Sequence, residues 1–205
     1  PDLLQQRLTA AQEAWDIAEE MGLLNIMEDL LAFLLVDLVR VGDASALRRF
    51  LDEGLRLTAQ TLSVYDRAIC EHVEAQVAIG EGRFGDAEAW AAQSLETGRR
   101  VAEPQATTAF GTQMFCLRRE QGRLREALPM LQHFVRTTPK AQVWQPGLAL
   151  LYAELDMRAE CQAQFESLPW SRISNAPRAT GTLTLVILAA EVCVYLGDAV
   201  RASQL

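Results

Sequence analysis

Apolar residues recur along this chain with a period near 3.6 almost from end to end. Leu30, Leu31, Leu34, Leu35 and Leu38 form one wide helical stripe, and Leu148, Leu151, Tyr152 and Leu155 form another. β-Branched runs bounded by hairpin turns do not occur. The pattern therefore predicts an all-α chain of about eleven helices, at 2–21, 23–41, 43–60, 63–80, 84–101, 105–121, 124–137, 142–155, 157–168, 179–196 and from 199 onward.

The joints between these helices repeat. Gly42-Asp43, Gly82-Arg83, Gly122-Arg123 and Gly197-Asp198 each end one apolar helix and precede another by one or two residues. Asp156 holds the equivalent place between Leu155 and Met157. Successive joints lie 40, 40, 34 and 41 residues apart. Ending a helix and reversing the chain calls for a left-handed residue, which glycine supplies and aspartate tolerates at some cost. A period of this size in a helical chain predicts an α-solenoid of antiparallel helical hairpins, a single array over 1–205. Both ends read as cuts through a longer array, since the helix at 2–21 has no partner before it and that after 199 is short. Pro169–Pro177, with two prolines and several turn formers, breaks the rhythm and predicts a long connection.

Two joints carry more. Gly82-Arg83-Phe84-Gly85-Asp86-Ala87 and Gly122-Arg123-Leu124-Arg125-Glu126-Ala127 superimpose, and both resemble the turn of tetratricopeptide repeats, whose 34-residue length matches one interval. The other intervals are longer and lack the consensus Trp and Gly of the first helix, so the array is a divergent one. The strings 110–124, 149–155 and 188–198, which include Leu117-Arg118-Arg119-Glu120-Gln121-Gly122-Arg123-Leu124, resemble the C-terminal helical region of large bacterial signalling ATPases. In that family an AAA/STAND-type ATPase core precedes a tetratricopeptide-like array. A nucleotide cyclase or a helix-turn-helix transcriptional domain occupies one end. The resemblance is best over 80–205; it implies a right-handed solenoid with a sensory or protein-interaction role, and ATPase and output domains of the parent as intramolecular partners.

Charge narrows the partners. The 205 residues carry 19 basic and 27 acidic groups, and residues 1–102 hold 9 of the former against 18 of the latter. An acidic surface repels phosphate backbones, so nucleic acid is not an expected partner. Arg118, Arg119, Arg123 and Arg125 are interleaved with Glu120 and Glu126, the pattern of a solvated, salt-bridged face. The longest apolar stretches, near Leu30–Val36 and Ala179–Ala190, are too short to span a bilayer, and no leader opens the chain. Cys70, Cys116, Cys161 and Cys193 sit among apolar residues with no C-x-x-C, which predicts small buried hydrophobes in a reducing cytoplasm.

Motifs for chemistry are few. Gly80-Glu81-Gly82-Arg83-Phe84-Gly85 satisfies G-x-G-x-x-G, but a dinucleotide needs a strand before it, and here a helical pattern and a repeat joint coincide. The chain has no G-x-x-x-x-G-K-[ST], no G-x-S-x-G and no H-E-x-x-H, and a single lysine, Lys140. His72 and His133 are far apart, and Glu19-Glu20, Glu28-Asp29 and Asp52-Glu53 read as solvated pairs on polar helix faces. No catalytic residue, metal site or cofactor is expected, and an enzyme on this scaffold is the least favoured reading.

The resemblance also implies where binding happens, because the first helix of each pair lines the concave surface of such arrays. Counting back from each joint places Asp29, His72, Gln76, Thr112, Arg119 and Glu191 toward the groove, with Ile69, Ile79, Val143, Leu150 and Ile187 as apolar neighbours. Polar groups among aliphatic ones suit a protein, peptide or small effector. Trp144 and Trp170 are further candidates near the 169–177 connection, although a Trp in a helical array is more often core. The expected function is a non-catalytic sensor or interaction region of a signalling or transcriptional regulator. The alternative is a scaffold for self-association, a homo-oligomer built on exposed apolar surface.

Overall fold

The computed structural model describes residues 3–137, 144–170, 173 and 180–205. Among them the chain is all-helical, with ten α-helices, one 3₁₀ turn and no strand. It divides into two compact units, 1–117 and 118–205.

The first unit holds α1 (Leu4–Glu20), α2 (Leu24–Val41), α3 (Ala44–Thr61), α4 (Val64–Gly80) and most of α5 (Phe84–Glu120). Its joints fall at 20-residue steps. Gly22, Gly42, Leu62 and Gly82 all adopt left-handed backbone, with φ of 67°, 77°, 60° and 73°. A further 20 residues on, Ala102 leaves the helical region (φ −152°, ψ 65°), and α5 bends sharply there. A Cβ placed on Gly98 would lie 2.9 Å from that of Ala106, whereas eight residues of straight helix span about 12 Å. The two arms of α5 thus fold back on each other, and they match the two helices predicted at 84–101 and 105–121. Pro104 sits in the first turn of the second arm, where a missing N–H costs nothing.

α2 packs on α1, α3 on α2 and α4 on α3, and α2 also packs on α4 past the intervening α3. The predicted stripe forms the core: Leu31, Leu34, Leu35 and Leu38 are fully buried with Trp15, Phe50, Leu51 and Cys70. Gly54 allows this closeness, since a Cβ there would meet Leu31 and the Cys70 sulfur at 2.9 Å. Charged side chains bind the same helices. Arg7 grips Asp37 with two bonds of 2.6 Å, and Arg48 holds Glu74 at 2.7 Å. Thr61 donates to Glu28. Asp43 and Ser63 cap α3 and α4 through Ala46 N and Asp66 N.

The second unit opens with the last turn of α5 and the joint at Gly122. It continues through a 3₁₀ turn (Leu124–Ala127), α6 (Leu128–Thr137), α7 (Trp144–Glu154), α8 (Arg158–Glu166), α9 (Thr180–Leu196) and α10 (Ala199–Ala202). Gly122, Asp156 and Gly197 are left-handed at φ 67°, 55° and 76°, as expected of joints. The Asp156 carboxylate accepts from the Tyr195 hydroxyl at 2.8 Å, a bond glycine would lack. α7 packs on α8 and also on α9, again skipping a helix.

The cysteine reading needs one correction. Cys70, Cys161 and Cys193 are buried free thiols, but Cys116 lies on the exposed side of α5, because its helical position turns away from the Met114, Phe115 and Leu117 core. Burial, reinforced by Asp66, pushes the Cys70 thiol up to about 12. Most of the expected 169–177 connection lies outside the described residues, as do Lys140 and Val143.

Candidate functional site

In the first unit, α4 and the second arm of α5 bring polar groups together. His72 is partly buried, and its Nε2 lies 3.0 Å from the side-chain amide of Gln76 one turn on. Since that amide nitrogen donates, Nε2 accepts and the ring proton sits on Nδ1. The Gln113 amide crosses from α5 to donate to the His72 carbonyl at 2.7 Å. Two atoms are left without a hydrogen-bond partner, His72 Nδ1 and Gln113 Oε1. One is a donor and the other an acceptor, both held at a helix–helix contact. Thr112 is exposed, with its hydroxyl turned back to the Thr108 carbonyl at 3.0 Å. Asp29 is exposed on α2 and joins none of these bonds. Ile69 and Val77 pack on the core beneath, while Ile79 is partly exposed.

Burial lowers the His72 pKa from its ordinary 6.5, against a smaller opposing effect of Gln113. The folded chain therefore holds a neutral imidazole where the unfolded chain takes up a proton first. Stability contributed here is complete above the unfolded value and is lost as pH falls toward the folded one. Over that window wild-type protein is expected to lose up to about 1.4 kcal/mol per pH unit relative to His72→Gln. Urea midpoints of both proteins between neutral and mildly acidic pH measure this. Parallel curves would assign the imidazole no such role. Among the described residues no carboxylate bonds either ring nitrogen.

In the second unit, Arg119 at the end of α5 donates from one Nη2 to Glu154 on α7 and to Glu191 on α9, each at 2.6 Å. All three side chains are about one-third exposed. The Glu191 bond leads in raising the guanidinium pKa. Two residues expected to face a ligand are therefore occupied with each other, and they tie three helices together near their ends. Arg158 reinforces the neighbouring joint by donating to the last carbonyls of α9, Tyr195 and Leu196, both at 3.1 Å. Leu150 is core, and Ile187 is half exposed on α9. Of the predicted mixed face, Arg118 and Arg123 lie 3.5 Å and 2.7 Å from Glu126, but Arg118 is largely buried and Arg119 turns to Glu154 and Glu191 instead.

Both tryptophan candidates are packing residues. Trp144 is buried and stacks on Phe134 with centroids 4.9 Å apart. Trp170 meets Phe165 edge-on and donates its indole N–H to the Phe165 carbonyl at 3.0 Å. The Gly80–Gly85 segment is the α4–α5 joint, with a helix before it and Arg83 paired to Glu81 and Asp86. Among the described residues no cluster of three His, Cys, Asp or Glu could hold a metal, and no helix is long and apolar enough to cross a membrane.

No family model, curated protein or solved structure matches the chain. The site must therefore be read from its own chemistry. Sequence reasoning missed Gln113, because a buried glutamine on an apolar face carries no local signal of the carbonyl it will meet 41 residues away. It also missed Asp37, Glu71 and Glu74, all buried, whose spacing looks like an ordinary polar face.

Proposed function

We propose that this chain is a non-catalytic interaction region, an α-solenoid of divergent tetratricopeptide-like hairpins that binds an extended peptide segment of a partner protein. The observation that carries this reading is the 20-residue recurrence of joints together with the packing of α2 on α4, one helix apart. Stacked hairpins place alternate helices side by side, and the row so formed is the surface on which such arrays bind ligands. Gln76 on α4 and Thr112 on the second arm of α5 are exposed polar side chains on the two helices that the His72–Gln113 contact joins, and they offer hydrogen-bonding groups to a peptide backbone.

The resemblance to signalling ATPases supports reading the region as the sensor arm of a bacterial regulator, in which a bound partner biases the ATPase and output domains. The buried thiols Cys70, Cys161 and Cys193 fit a reducing cytoplasm. A displayed peptide library panned on the chain is expected to yield binders that weaken at least about tenfold in Gln76→Ala and in Thr112→Arg, a loss of about 1.4 kcal/mol. Binders indifferent to both variants would place recognition elsewhere.

A further inference from the structure

Helix α2 is apolar on both sides. One side is the core stripe; on the other Ile26, Asp29, Phe33, Val36 and Arg40 recur at alternating steps of three and four residues. That spacing is the seam of a coiled coil. All five are exposed, with Ile26 at 38%, Phe33 at 64% and Val36 at 44%. A helix apolar all round is suited to being covered all round. The place equivalent to Phe33 one 40-residue step later is Val73, and it is buried in the core.

Charge along the seam selects the occupant. In a parallel pairing of two copies, Asp29 would face Asp29 and Arg40 would face Arg40. An antiparallel two-fold pairing centred between Leu34 and Leu35 instead sets Phe33 against Val36 twice and Asp29 against Arg40 twice. Arg40 lies 3.6 Å from Asp37 in its own chain, yet 38% of its side chain reaches solvent, and a guanidinium has donors for a second carboxylate. We propose that the chain self-associates through α2, as a two-fold antiparallel helix pair with Phe33 and Val36 at its centre. Symmetric pairing through one self-complementary patch is the commonest route to a dimer. One helix pair is a small interface, so the dimer is reversible, with a dissociation constant of roughly 10–100 µM. It goes beyond the peptide-binding reading and does not depend on it.

Sedimentation velocity of the 205-residue chain across that range is expected to move the mass from 22.7 kDa toward twice that value. Phe33→Glu, at an exposed position, is expected to weaken association at least tenfold with circular dichroism unchanged. Asp29→Arg and Arg40→Asp are each expected to be monomeric alone and to dimerise when mixed, because only the mixed pair restores both opposite-charge contacts. Asp37 keeps its Arg7 partner in the second variant. A wild-type chain monomeric throughout would overturn the proposal. So would a dimer that survives Phe33→Glu and gains nothing on mixing. Peptide binding that persists in Phe33→Glu separates loss of this contact from failure at Gln76.

Discussion

Phe50→Ala is expected to destabilise the first unit by about 3–5 kcal/mol, the range for removing a large buried aromatic. Phe50 has no solvent exposure, and its ring meets the fully buried Trp15 edge-on, with centroids 5.2 Å apart and planes at 89°. The Arg49 guanidinium lies 4.6 Å from the same ring. Truncation thus removes an aromatic pair and a cation–π contact, and it leaves a cavity in the buried core that Phe50 shares with Leu31, Leu34 and Leu51. Helix backbones fixed by several other leucines collapse little into such a space. Phe33→Ala is the internal control, because Phe33 is 64% exposed and its loss is expected to cost no more than about 0.5 kcal/mol in the monomer. Urea midpoints at low micromolar concentration measure both. A Phe50→Ala cost below about 1.5 kcal/mol would mean that the core around α1–α3 repacks far more freely than its burial implies.

Much of the fold was legible because helix ends in this chain are marked chemically. Gly42, Gly82, Gly122 and Gly197 announce left-handed joints, and the apolar period fills the space between them. Asp156 was readable too, since aspartate visits that conformation at modest cost. Leu62 was not. Its φ of 60° is imposed by the helices on either side, so a residue that disfavours the conformation carries no mark of adopting it. The full 20-residue step, which also takes in Gly22 and Ala102, emerges only once backbone angles are known. The bend at Ala102 was readable from Pro104, but the tight return of α5 depends on Gly98 meeting Ala106, a contact that periodicity does not encode.

The candidate site was less legible, for a different reason. A helical position says which face a residue occupies and nothing about what arrives opposite. Arg119 and Glu191 were placed toward a ligand groove, whereas the structure pairs them with each other across 72 residues of sequence. His72 and Gln76 were adjacent by helical spacing alone, whereas Gln113, which completes the group, was hidden among apolar neighbours. Trp144 looked like either anchor or core until Phe134 was found stacked on it. The seam on α2 was hidden by richness: a helix with leucine, valine and phenylalanine on most sides shows one apolar stripe clearly and obscures the second.

Arg48→Ala is expected to cost about 2–4 kcal/mol, well above the usual surface ion pair. Arg48 keeps 40% of its side chain in solvent, but its partner Glu74 keeps only 5%. Removing the arginine leaves a carboxylate that has already surrendered its water with nothing in exchange, and breaking a buried pair from one side costs about 3–5 kcal/mol. Half-exposure of the arginine trims that figure. Glu74→Gln keeps the volume and discards the charge, so its cost is expected to be the smaller of the two. Arg48→Met with Glu74→Met, which removes both charges, is expected to recover most of the loss. An Arg48→Ala cost below about 1 kcal/mol, the range of an exposed ion pair, would show that Glu74 finds water or another donor on losing Arg48. The α3–α4 contact would then owe its strength to the packing around Gly54 and Cys70 rather than to this ion pair.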